Sequence, residues 1–232
     1  YGGNISIPHN LVFTGKFGHK SYGSHFKIAS IFAHEYGHAV FTEELKKKDY
    51  FKKFYTYSRR ISYLRVKGLL AYTNMNRANM IQVSQKNMDI LSERRKETDF
   101  IAMREFVTAY NELYADIIAT YLNGHKSDIF EALYHEELND RQYKALQARS
   151  FSNTNDWNGF YHTPHSLFAR TRNYIGQEFW PTNDEEKKSY LKLILSAIME
   201  EIDQKHENHK DFNAKKLNDD LISRLEKIRK KL

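Results

Sequence analysis

The segment that most restricts this chain is the apolar run Ile28–Phe41, which carries His34-Glu35-Tyr36-Gly37-His38. Two histidines four positions apart leave the same side of the backbone if the segment is an α-helix, where four residues make a little over one turn. Ile28, Phe32, Ala39 and Val40 form an apolar stripe at helical spacing, and Ser24 is a candidate N-cap. The pattern H-E-x-x-H therefore predicts a helix whose two imidazoles can close on one metal ion, with Glu35 projecting toward the ion's open position. Zinc lowers the pKa of a bound water to about 7, and the glutamate between the ligands is placed to take its proton. The plain alternative is an ordinary helix that happens to carry two surface or core histidines.

A zinc site of this kind needs one more protein ligand. The candidate is Glu112, in Tyr110-Asn111-Glu112-Leu113-Tyr114-Ala115-Asp116. This stretch lies in a second helical pattern over roughly 99–122. Glu112 and Asp116 are four apart and share a face with Ala109 and Ala119, small residues that would let the two helices approach closely. Asp116, one turn on, is placed to accept the free ring N–H of a ligand histidine. Asp89 and Glu93, also four apart, and Glu43 and Glu44 are competing carboxylates. Glu112 is preferred because its helix is apolar enough to be buried, whereas residues 86–98 are mostly polar.

H-E-x-x-H followed by N-E-x-x-x-D resembles the gluzincin metallopeptidases, the thermolysin-like group most closely. The resemblance implies Zn2+ held by His34, His38 and Glu112, with Glu35 as general base and Asp116 behind the ligands. It covers residues 4–41 and 99–176 at the level of motifs. That group places the ligand glutamate a few turns after the second histidine; here 73 residues intervene, which reads as an insertion. Asp156-Trp-Asn-Gly-Phe-Tyr-His162, before Thr163-Pro164, is similar to a third stretch of those enzymes. By that likeness His162 stabilises the oxyanion and Asp156 orients it. The spacing is one residue longer than the family's, so His165 and Tyr161 stay open for the oxyanion role. A capped helix start with surface histidines is the alternative for this stretch.

The fold these readings predict is α+β but mostly α. It is a zincin-like catalytic domain with a short N-terminal β edge and a helical insertion between the metal half-sites. Residues 1–232 read as a single metallopeptidase domain in four stretches. These are 1–41 with an edge strand and the H-E-x-x-H helix, 42–98 as the insertion, 99–180 with the second half-site and oxyanion segment, and 181–232 as C-terminal helices. The strand is expected at 4–13, confined to a sheet edge by Pro8 and open to an extended peptide. Helices are expected over 42–68, 76–97, 126–148 and 164–179. Leu217, Leu221, Leu225, Ile228 and Leu232 form a last stripe, packed on the domain or on a second subunit.

With no Cys there is no thiolate site, so a transition metal must be held by His and carboxylates. No stretch approaches the length needed to span a bilayer. The chain begins at Tyr1 rather than Met, which reads as a processed or trimmed form. The formal net charge of +7 is uneven: residues 46–67 hold nine Lys and Arg against Asp49 alone, interleaved with Tyr and Phe. Such a stretch fits an anionic partner, whether nucleic acid, membrane surface or acidic protein, or simply a helix with a solvated basic face. The leading expectation is a zinc metalloendopeptidase acting on a peptide or protein substrate, secreted or resident in the cell envelope. The rival is a basic, aromatic-rich binding module with a structural or vestigial zinc site.

Overall fold

The structure, a computed structural model, describes residues 12–14, 20–22, 25–73, 77–96, 98–135, 138–157, 159–208 and 213–230. The elements in chain order are β1 (Val12–Thr14), β2 (Lys20–Tyr22), α1 (His25–Leu45), α2 (Asp49–Thr73), α3 (Arg77–Lys96) and α4 (Thr98–Asn123). After them come α5 (Asp128–Leu133), α6 (Asp140–Gln147), α7 (Ala169–Glu178), α8 (Asp184–Lys205), a 3-10 turn (His206–Asn208) and α9 (Ala214–Arg229).

The expected α+β class is wrong: the fold is all-α. Among the described residues, β1 and β2 are three-residue strands joined as one antiparallel pair, with Phe13 opposite Ser21. Two such strands make a hairpin, not a layer on which helices can pack. Most of the predicted strand at 4–13 lies outside the described residues, as does the proposed cap Ser24.

α4 is the centre of the molecule. From Phe106 to Tyr121 it is buried on nearly every side, its polar Glu112, Asp116 and Thr120 included. It packs against α1, α3, α5 and α8. Phe41 and Leu45 of α1, Ile194, Ile198 and Ile202 of α8, and Leu217, Leu221 and Leu225 of α9 join the same apolar cluster. The C-terminal stripe from Leu217 to Ile228 thus packs on the domain, and Leu232 lies outside the described residues. α4 stops at Asn123, followed by Gly124 at φ +71°, a left-handed position that suits glycine. The single helix expected over 126–148 is instead α5 and α6, the second opened by an Asn139–Gln142 capping box.

α1 and α4 are held in close register. Gly37 faces Ala115, and a Cβ built at Gly37 would stand 2.6 Å from the Ala115 Cα. At the far end, Ser30 Oγ donates to Asp128 Oδ1 at 2.8 Å, and Asn123 Nδ2 donates to both Asp128 oxygens at 3.1 Å. That triad ties α1, α4 and α5 together. Gly37→Ala is therefore expected to push the helices apart, costing about 1–3 kcal/mol and weakening any metal binding that needs α1 and α4 together. Thermal unfolding and zinc titration check this; wild-type values in both would show that the approach does not need glycine.

Candidate metal centre

The 2.6 Å constraint at Gly37 brings α1 and α4 together where the polar residues of both face each other. His34 and His38 lie one turn apart on α1 with ring centroids 4.4 Å apart, edge to face. Glu112 enters from α4. His34 Nε2 is 3.5 Å from Glu112 Oε2, and His38 Nε2 is 3.5 Å from Glu112 Oε1. All three side chains are buried. Candidate ligand atoms of His34, Glu35 and His38 also fall within 4.8 Å of one another. The structure thus assembles His34, Glu35, His38 and Glu112 at one place. The competing carboxylates Glu43 and Glu44 instead pair with Lys46 and Lys47 on the surface of α1.

Each ring is oriented from behind. His38 Nδ1 donates to Asn111 Oδ1 at 2.9 Å in the tautomer that leaves Nε2, which faces Glu112, unprotonated. His34 Nδ1 lies 3.0 Å from Asp116 Oδ1, at ion-pair distance but without hydrogen-bond alignment. Asp116 is fully buried and held by two arginines. Arg149 donates through Nε to Oδ2 at 3.1 Å and through Nη2 to Oδ1 at 2.6 Å. Arg172 donates through Nε to Oδ2 at 3.0 Å, and its Nη2 lies 2.7 Å from the same oxygen. Gly176 lets α7, which carries Arg172, sit against the backbone of Phe151; a Cβ there would stand 1.9 Å from the Phe151 carbonyl oxygen. Neither arginine nor Asn111 was singled out from the sequence. Asn111 is one position from the predicted ligand, but the arginines are 33 and 56 residues from Asp116 and follow no local pattern.

The electrostatics favour a cation at this place. Burial pushes the Glu112 carboxyl up, but the neighbouring His165, His34 and His38 imidazoles and the Arg149 guanidinium hold it well below the ordinary carboxylate range. Burial likewise opposes Asp116, and the charges of Arg149 and Arg172 overcome it. Burial lowers the His34 imidazole, yet the Asp116 and Glu112 carboxylates raise it on balance. Burial and the neighbouring His34 keep His38 low, which suits a neutral ligand.

Two observations test whether a metal fits. Glu112 Oε2 is buried and accepts no hydrogen bond; the Arg149 Nη2 stands 3.6 Å away, too long for one, which leaves the oxygen able to meet a metal ion. Ligand atoms 2.0–2.2 Å from a tetrahedral ion stand roughly 3.3–3.5 Å apart, and the 3.5 Å separations between the Nε2 atoms and Glu112 match that edge. Two imidazoles and one carboxylate are a donor set suited to zinc among the common ions. The residues fit.

The oxyanion candidates separate. His162 Nδ1 accepts from Arg141 Nε at 3.1 Å, whereas His165 Nε2 lies 3.3 Å from Glu112 Oε1 with its side chain 46 % exposed. The histidine that reaches the centre is His165. Asp156 is exposed, beside the buried Trp157, and Tyr161 is exposed. The residue order Thr163-Pro164-His165-Ser166 explains the choice. Ser166 Oγ accepts from the backbone N–H groups of His162 and Thr163 and donates to the Thr163 carbonyl, closing a turn just ahead of α7.

Compared with protein-family models, curated proteins and solved structures, the chain shows no match, so a functional reading has to rest on the chemistry of this centre.

Proposed function

We propose that the chain is a zinc-dependent metallopeptidase, with the ion held by His34, His38 and Glu112. The observation that carries this reading is the convergence of two imidazoles and a buried, hydrogen-bond-deficient carboxylate oxygen beside Glu35. The likeness to gluzincins lies in this donor set and not in the sheet on which those enzymes build it.

Zinc at this place would polarise a carbonyl and acidify water. The protein's own groups supply the rest. Glu35 takes a proton from the attacking water and returns it to the departing amine. His165, half-exposed at the edge of the centre, donates to the developing oxyanion. Asn111 and Asp116 keep the two ligand rings turned toward Glu112. Glu112→Ala removes the carboxylate and is expected to lower zinc affinity by at least about tenfold to a hundredfold. Metal retention after dialysis measures it, and unchanged retention would refute the assignment of Glu112.

His165 also favours a second reading. Its Nε2 is close enough to Glu112 to be a fourth protein ligand, which would close the site and make the metal structural. His165→Ala separates the two. The peptidase reading expects normal zinc content with a lower kcat; the structural reading expects zinc loss and a lower Tm with no turnover in either protein.

A further inference from the structure

The centre leaves α2 and α3 unexplained. Between Asp49 and Lys96 there are eleven Lys and Arg against three Asp and Glu, a net charge of +8, more than the +7 of the whole chain. The rest of the molecule is therefore slightly acidic, and its positive field comes from this helical pair.

The base of the pair is anchored. Phe51 is buried in the main cluster, Tyr50 donates to Asp203 Oδ1 at 2.7 Å and stacks on His206, and Lys48 pairs with Asp203 at 2.5 Å. Further along, α2 and α3 pack on each other, with Ala71 and Val83 buried and Gly68 facing Val83. Their other faces meet solvent with large apolar side chains. On α2, Tyr63, Val66 and Leu70 recur at helical spacing, 56–63 % exposed. On α3, Ile81 and Met88 stand two turns apart at 64 % and 57 %. Exposed basic residues flank both stripes: Lys67, whose Nζ lies 6.0 Å from the Tyr63 ring, on α2, and Arg77 and Lys86 on α3.

We infer that the α2–α3 pair is a docking surface for an anionic lipid bilayer. Apolar side chains lie at the acyl boundary while the flanking Lys and Arg reach the headgroups. Charge complementarity selects an anionic occupant. Tyr63 aside, the stripes are aliphatic, and that selects lipid over nucleic acid, because a phosphate backbone needs cations and stacking rings, not exposed Val, Leu, Ile and Met. Among the described residues no helix is long and apolar enough to cross a membrane, so the pair lies on the surface. This reading stands apart from the metal centre and needs no turnover to test.

The test is co-sedimentation of the full chain with phosphatidylcholine vesicles, with and without about one-third phosphatidylglycerol. Two triple variants are compared, Val66→Ser/Leu70→Ser/Ile81→Ser and Lys67→Glu/Arg77→Glu/Lys86→Glu. All six positions are exposed, and thermal unfolding of each variant is the check that it folds. The wild type is expected to partition at least tenfold more strongly onto anionic vesicles than onto neutral ones. Each variant is expected to lose at least tenfold, since each basic residue near the surface is worth about fivefold. Absence of binding to anionic vesicles would overturn the inference, as would a serine variant that binds like wild type. Tight binding to an oligonucleotide that the serine variant retains, with vesicle binding weak, would assign the pair to nucleic acid instead.

Discussion

Glu35→Gln is expected to lower kcat for peptide hydrolysis by roughly a thousandfold while the protein keeps its zinc and its fold. The exchange conserves volume and removes only the capacity to take a proton at neutral pH. Glu35 lies between His34 and His38 on one turn of α1, with candidate ligand atoms of the three residues within 4.8 Å of one another. In the proposed site a group there is close enough to serve water at the ion and is not needed to hold it, because His34, His38 and Glu112 would supply three ligands. A mixed peptide library analysed by mass spectrometry, with zinc measured on the same preparation, reads both quantities. A variant that carries zinc and cleaves as fast as wild type would remove Glu35 from the mechanism.

The parts of this architecture that were legible in the sequence are those with local periodicity. The run Ile28–Phe41 and the apolar stretch ending at Asn123-Gly124 announce α1 and α4, and the pairs His34/His38 and Glu112/Asp116 have helical spacing. These side chains meet because Gly37 lets α1 sit against Ala115, a long-range contact that periodicity does not encode. The expected β edge rested on the alternating β-branched residues of 4–13 and on Pro8, most of which lie outside the described residues. A two-helix donor set needs only a close helix pair, and here other helices, not a sheet, support it. The choice of His165 over His162 depends on a turn closed by the Ser166 hydroxyl, which motif spacing cannot resolve. The arginines behind Asp116 were invisible for a similar reason: in sequence, Arg149 and Arg172 look like any two of 36 cationic residues, and only burial distinguishes them.

Those arginines make Asp116→Ala the most destabilising single change expected in the molecule. Asp116 offers two oxygens to four guanidinium nitrogens, and no part of it reaches solvent. Its removal strands Arg172 as a buried positive charge and leaves Arg149 only its 3.6 Å contact with Glu112, at a cost of about 3–5 kcal/mol. That is a large part of the 5–15 kcal/mol typical of a folded domain. With Asp116 gone, the two arginine charges are poorly compensated and Arg149 competes for Glu112, so zinc affinity is expected to fall as well. Replacing all three groups, as Asp116→Ala/Arg149→Met/Arg172→Met, separates the effects. Stability should largely return because no charge is stranded, while His34 still lacks its partner and zinc stays weakly held. Acid supplies an independent check. The Asp116 carboxyl is held below its unfolded range, so its contribution is fully present above about pH 4 and is lost as pH falls through the lower folded value. Urea unfolding should therefore show a gap between wild type and Asp116→Ala that is widest near neutrality and narrows only in strong acid. A gap that stays constant from pH 7 into strong acid would mean that shape, not charge, is what Asp116 contributes.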